Sequence, residues 1–168
     1  MTPVLAVRSA VVGDAHQMAR VHVDSWRQTY RGLMSDSVLD DPELLHTRKR
    51  FWTGALTDER YSSNRVAVAE RNGAVIGIAM SGPSQDPDAT WTSQLFVLYV
   101  DAAHHGSGAG PALLNAVLHL HEAAAVWVAD PNPRAQAFYR KHGFTPDGHS
   151  KAGPYVQELR LLRGPGTA

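Results

Sequence analysis

The sequence predicts an α+β fold in which a mixed, mostly antiparallel sheet is flanked by helices. Three observations carry this. The first half holds two strand-like runs joined by Asn72-Gly73, the strongest short hairpin signal. The second half alternates strand, helix, strand, helix, strand, which adds parallel pairing to the antiparallel meander. Of the 168 residues 43% are hydrophobic, and four are tryptophan, enough to bury one core. A single domain over residues 1–163 is expected, with 164–168 (GPGTA) as a frayed tail.

The elements follow in order. A short strand, Val4 to Arg8, leads to Asp14, which is placed to cap a helix running to about Arg31. Ala15, Met18, Ala19, His22, Val23, Trp26 and Tyr30 recur there at helical spacing. The acidic turn SDSVLDDPE precedes a second helix, Pro42 to Leu56, with Pro42 suited to its first turn. RVAVAE and AVIGIAM form the hairpin, and SGPSQDPDAT reads as a surface loop. WTSQLFVLYV is a strand ending at Val100, followed by a helix from Gly108 to Glu122, the buried strand AVWVA, and a helix from Arg134 to His142. Phe144 and Tyr155 to Leu162 supply the last strands.

Composition excludes several functions. Sixteen Lys and Arg balance sixteen Asp and Glu, so no net field recruits nucleic acid or an anionic membrane, although nine histidines would turn the charge positive in mild acid. Without cysteine there is no disulfide, thiolate metal site or thiol nucleophile, and no metal is expected. Apolar runs such as AAAVWVA are too short to span a bilayer, and MTPVLAVRSA lacks a basic start followed by a long apolar stretch, so a cytoplasmic location is expected.

Gly106, Gly108 and Gly110 stand directly before the third helix. A helix N-terminus exposes unpaired N–H groups with partial positive charge, and a loop without side chains lets an anion reach them. Glycines that simply turn the chain explain the same letters. A P-loop is excluded because Gly110 is followed by Pro111 and Ala112 instead of Lys-Ser/Thr. A dinucleotide fingerprint fits poorly, since Pro111 stands where its last glycine belongs and Asp101 to His105 separate the strand from Gly106.

LYVDAAHHGSGAGPALL resembles the acetyl-CoA loop of the GCN5-related N-acetyltransferases (GNAT), and NPRAQAFYRKHGF resembles the family's NxxAxxFYxxxGF segment through Asn132, Ala135, Phe138, Tyr139, Gly143 and Phe144. The resemblance implies two central parallel strands splayed at a bulge, with Val100 at that place, and acetyl-CoA held along Leu98, Tyr99 and Val100. Its pyrophosphate would sit among His105, Gly106, Ser107, Gly108, Ala109, Gly110 and Pro111. By the same resemblance Asn132 contacts the cofactor, and Tyr139 contacts it and protonates the departing thiolate.

Two features depart from the family pattern. His105 stands where Arg or Gln is usual; an imidazole holds phosphate less firmly than a guanidinium, so cofactor affinity should improve in mild acid. Gln94 and Trp127 stand where many relatives carry the carboxylate that takes the amine proton. A water chain, His104, His22, Asp36, Asp40 and Asp41 remain as candidates for that role. By the same resemblance the acceptor wall would include Trp26, Tyr30, Trp91, Gln94 and Trp127. The expected substrate is a small-molecule primary amine such as an antibiotic, an amino acid derivative or a polyamine. A peptide or protein acceptor and a non-catalytic acyl-CoA binder are the alternatives. The apolar run YVQELRLL offers a surface for a homodimer.

Overall fold

The computed structural model describes residues 4–165. Its elements are β1 (Ala6–Ser9), α1 (Ala15–Tyr30), α2 (Asp36–Leu39), α3 (Leu44–Thr57), β2 (Arg65–Arg71), β3 (Ala74–Pro83), β4 (Ser93–Val100), α4 (Ala109–Val117), β5 (Ala124–Ala129), α5 (Pro133–Lys141), β6 (Thr145–Ala152) and β7 (Gln157–Arg163). The strands form one sheet in the order β1-β2-β3-β4-β5-β7-β6. Every pairing is antiparallel except β4 with β5. The β2–β3 turn has φ of 54° at Asn72 and 76° at Gly73, the two left-handed residues that a tight hairpin of right-twisted strands requires.

Each face of the sheet carries a helical layer, and strand alternation explains why. Met18 and Val21 of α1 and Trp52 of α3 pack on Val68, Ile78 and Val97. On the opposite face Leu113 and Val117 of α4 and Tyr139 of α5 pack on Ala69, Ile76, Leu95, Val126 and Leu161. Leu95 and Val97 are two apart on one strand, yet they join opposite layers. A β-bulge causes this: Ser81 opposes Leu95 and Met80 opposes Val97, leaving Phe96 as an extra residue that reverses the side-chain alternation. The bulge therefore lies at Phe96 and not at Val100, which pairs in register with Gly77.

Other expectations change in instructive ways. The first strand begins at Ala6. Asp14 does not cap α1 through its side chain; its carboxylate accepts from the Val11 amide and pairs with Arg8 at 2.8 Å. The acidic turn contains the short helix α2, and the second long helix starts at Leu44. The third helix stops at Val117, where Leu118 turns extended, and Glu122 beyond it joins a cluster of its own. Its carboxylate accepts from Arg65 of β2 (2.7 Å), Ser93 of β4 and the His119 amide (2.9 Å). The strand expected at Phe144 is β6, which runs from Thr145 to Ala152 as TPDGHSKA, is mostly exposed and carries Pro146 and Gly148 beside an irregularity in its pairing. It is an edge strand with no apolar alternation to reveal it. β7 is paired on both sides, by β5 and β6, so its backbone has no free edge for a second copy of the chain. Residues 166–168 of the expected tail lie outside the described residues.

Glu122 gives the fold an acid-sensitive tie. Burial pushes its pKa up, but Arg65, Ser93 and the His119 amide outweigh burial and hold it at about 2, below the ordinary 4.5. A depressed carboxylate pKa contributes stability above pH 4.5 that disappears as pH falls toward 2. The unfolding free energy, measured by urea titration, is expected to drop across that window by about 2 kcal/mol more in the wild type than in Glu122→Gln.

Candidate active site

β4 and β5 pair only over Ser93–Leu95 and Ala124–Val126. Beyond that point the strands part, and a cavity of about 890 Å³ fills the gap. Phe96 to Val100 line one edge and Trp127 to Ala129 the other. The glycine loop and α5 close the cavity on one face of the sheet, while α1, α3 and the β6–β7 loop close it on the opposite face.

The three glycines do different work. Gly106 (φ 79°) and Gly108 (φ 89°) occupy the left-handed region that side chains disfavour. Gly110 is favoured by packing, because a Cβ there would lie 3.2 Å from the Phe138 ring, which would have to give way. The amides alternate in the same way. Those of His105 and Ser107 are bonded internally, to the carbonyls of Ala102 and His104. Those of Gly106, Gly108 and Gly110 have no backbone acceptor among the described residues. Gly106, Gly108, Gly110 and Pro111 line the cavity, whereas Ser107 and Ala109 do not. Three unpaired donors thus converge at the start of α4, an arrangement suited to a phosphate group. The His105 ring lines the same wall, with Nε2 2.9 Å from the Val100 carbonyl. A carbonyl can only accept, so Nε2 carries the proton.

Asn132 begins α5 by accepting from the Ala135 amide (3.2 Å), with Pro133 in the first turn. This cap aims the helix so that Tyr139 reaches the gap. Tyr139 is buried and lines the cavity, with no side-chain hydrogen bond among the described residues. Burial, with the neighbouring Tyr99 hydroxyl, pushes its phenol above the ordinary tyrosine range. It keeps its proton at neutral pH and is able to donate it.

On the opposite face Trp26 and Tyr30 are at once core and wall, 7% and 8% exposed. Trp26 Nε1 donates to the Tyr99 hydroxyl (3.1 Å), and its ring meets Tyr155 of the β6–β7 loop with centroids 5.4 Å apart. The Arg48 guanidinium lies 5.3 Å from the Trp26 ring centroid. Trp127 lines the gap, while its Nε1 donates to Asp86 and the Lys151 ammonium sits 4.0 Å from its ring centroid. Gln94 is not part of the wall; its side-chain oxygen is buried and accepts from the Gln85 amide. Trp91 also lies off the cavity, beneath Arg160.

The sequence pattern of the "Acetyltransferase (GNAT) family" matches residues 22–144. Among curated proteins, the probable N-acetyltransferase Rv2775 of Mycobacterium tuberculosis is 30% identical over 87% of this chain and 83% of its own length. The uncharacterized N-acetyltransferase YuaI of Bacillus subtilis is 28% identical over 94% of this chain and 91% of its own. In three dimensions the PaiA N-acetyltransferase of Thermoplasma acidophilum, solved with coenzyme A, superposes with a TM-score of 0.74 at 17% identity, covering 96% of this chain and 99% of the other. The chain belongs to the GNAT acetyltransferase family. It is an N-acetyltransferase of that family, and the two segments that carry the resemblance are those that line the gap on the α4 and α5 face.

The GNAT reaction needs an acceptor for the amine proton, and most of the expected candidates are otherwise engaged. Asp36 and Asp40 pair at the surface with Arg31 (3.1 and 2.8 Å), and Asp41 accepts from the Glu43 amide. His22 is buried, and its Nδ1 accepts from Trp52 Nε1 at 3.1 Å. Its proton therefore sits on Nε2, and burial, aided by the nearby Arg48 charge, lowers its pKa to about 3. His104 lines the cavity from the glycine loop. The sequence reading missed Arg48, Tyr155 and Glu158, which also line it. Nothing local marks them: each occupies an ordinary polar or loop position, and only the fold turns it toward the gap. Among the described residues no three His, Asp or Glu groups come together as a metal site, and no helix is long and apolar enough to cross a membrane.

His22 is thus a structural acceptor. His22→Leu leaves the Trp52 N–H buried without a partner and is expected to cost about 1–3 kcal/mol by thermal or urea unfolding. The pH profile of turnover should keep its shape.

Proposed function

We propose that this protein transfers the acetyl group of acetyl-CoA to the primary amine of a small molecule. The observation that carries the choice of acceptor is the contact between Trp26 of α1 and Tyr155 of the β6–β7 loop. It bridges the acceptor end of the gap with two aromatic rings, where a peptide substrate would need an open groove for its backbone. The remaining lining, with Tyr30, Met34 and Arg48, makes an aromatic-walled recess suited to a compact amine.

The residues fit acetyl-CoA on grounds of their own. The unpaired amides of Gly106, Gly108 and Gly110 suit a pyrophosphate, and the edge of Leu98, Tyr99 and Val100 offers main-chain groups to a pantetheine arm. Acetyl-CoA supplies the thioester. Tyr139, with its proton retained by burial, stands ready to give that proton to the leaving sulfur. Asn132, already committed to its cap, adds a polar group at the rim.

Thiol release from acetyl-CoA, followed across a panel of small primary amines and unstructured peptides, tests the reading. Release is expected with small amines and not with peptides; the reverse pattern, or no release with any acceptor, overturns it. Tyr139→Phe is expected to lower kcat by about 10-fold to 10⁴-fold. The thermal stabilisation that acetyl-CoA confers should be retained, which separates proton donation from binding.

A further inference from the structure

We infer that Glu158 of β7 is the group that takes the proton from the acceptor amine, working from the face of the sheet opposite Tyr139. This rests on the acetyl-transfer reading above.

Strand register places the carboxylate. Glu158 opposes Ala129, the last residue of β5, while its neighbour Leu159 opposes Val128. Side chains of opposed residues share a face. Val128 and Leu159 pack in the layer that contains Tyr139, and Ala129 packs with Trp26 and Tyr30. Glu158 therefore faces the recess proposed for the acceptor. Tyr139 approaches the same gap from the other side, and both residues line the single cavity where β4 and β5 have parted.

The carboxylate is uncommitted. Among the described residues it makes no hydrogen bond and no ion pair, although it is half-buried. The nearest cation across the strand pair, Lys151, lies over the Trp127 ring. Arg160, on the same face of β7, is held by Asp86, Asp88 and Asp147. Space for Glu158 is made by Gly153, where an added Cβ would lie 2.6 Å from Glu158 Oε1 and 2.5 Å from the Val156 carbonyl. Other ionisable groups share the cavity or the strand pair with it: Tyr30 of α1, Arg48 of α3, Tyr99 of β4, Tyr139 of α5, Lys151 of β6 and Tyr155 of the β6–β7 loop. Burial pushes the phenols of Tyr30, Tyr99 and Tyr139 above the ordinary range, so they stay neutral while Glu158 titrates. Burial also raises the Glu158 pKa, with Lys151 opposing, which moves a carboxylate toward the basicity a proton acceptor needs.

The proton count closes. The acceptor arrives as an ammonium, R–NH₃⁺, and gives one proton to Glu158. The freed lone pair forms the C–N bond at the thioester carbonyl, and the C–S bond breaks as the tetrahedral adduct collapses. Tyr139 protonates the departing sulfur, and the second proton lost by nitrogen replaces the one Tyr139 gave. The proton on Glu158 leaves to solvent, so one ammonium and one thioester yield one amide, one thiol and one proton.

Glu158→Gln keeps the shape and removes the basicity. With an amine that the wild type acetylates, kcat/KM near neutral pH is expected to fall about 10²-fold to 10⁴-fold. The acid limb of the wild-type pH profile, above the usual glutamate range, should vanish, and activity should recover in alkali where the amine is already neutral. Stabilisation by acetyl-CoA should be unchanged. A Glu158→Gln profile that overlays the wild type, or a loss that alkali does not relieve, overturns the assignment while leaving the acetyl-transfer reading intact. A wild type that releases no thiol with any amine overturns both. If the Gln variant does not fold, Glu158→Asp, one methylene shorter, is measured in its place: kcat/KM should fall about 10-fold or more with the acid limb kept, and unchanged kcat/KM overturns the assignment.

Discussion

The separation of β4 from β5 beyond Leu95 and Val126 is the constraint on which everything else depends. Two strands that stop pairing inside a protein leave backbone N–H and C=O groups without partners, which is costly unless a polar ligand or water takes them. The bulge at Phe96 stands at the point of parting and turns the strand, sending Leu98 and Val100 toward the α4 layer and Tyr99 toward α1. One inserted residue thereby opens the gap and decides which side chains face each of its halves.

The walls of the gap are held by polar ties that leave little freedom. On the α1 side His22 accepts from Trp52 while Trp26 donates to Tyr99, so two tryptophans are fixed through their indole nitrogens. Beyond β5, Arg160 is 3% exposed and pairs with Asp86, Asp88 and Asp147. These carboxylates come from the β3–β4 loop and β6, so one guanidinium pins both over Trp127 and Trp91. A fully committed cluster of this kind makes the uncommitted Glu158, two residues away on the same strand face, chemically distinct.

The two halves of the gap also differ in the kind of recognition they offer. On the α4 side the donors are peptide amides, which tolerate side-chain change as long as Gly106, Gly108 and Gly110 keep their conformation and packing. His105 in this loop adds a ring donor to the Val100 carbonyl without altering the amide pattern. On the α1 side the surface is made of side chains, above all Trp26, Tyr30 and Tyr155, so recognition there changes with each substitution.

The sequence by itself determined whatever local chemistry dictates. Asn72-Gly73 specified the hairpin, the glycines before α4 specified a donor-rich helix start, and the two family segments pointed to Asn132 and Tyr139, both of which line the cavity. Each depends on residues close together in the chain, so its signature is written in one short stretch of letters. Only the tertiary structure decided that Phe96 is the bulge, that Gln94 turns away to the Gln85 amide, that the polar segment 145–152 is an edge strand, and that Glu158 faces the gap. Those outcomes depend on register between strands far apart in sequence. A shift of one residue in that register exchanges the two faces of a strand, and a single sequence does not state it.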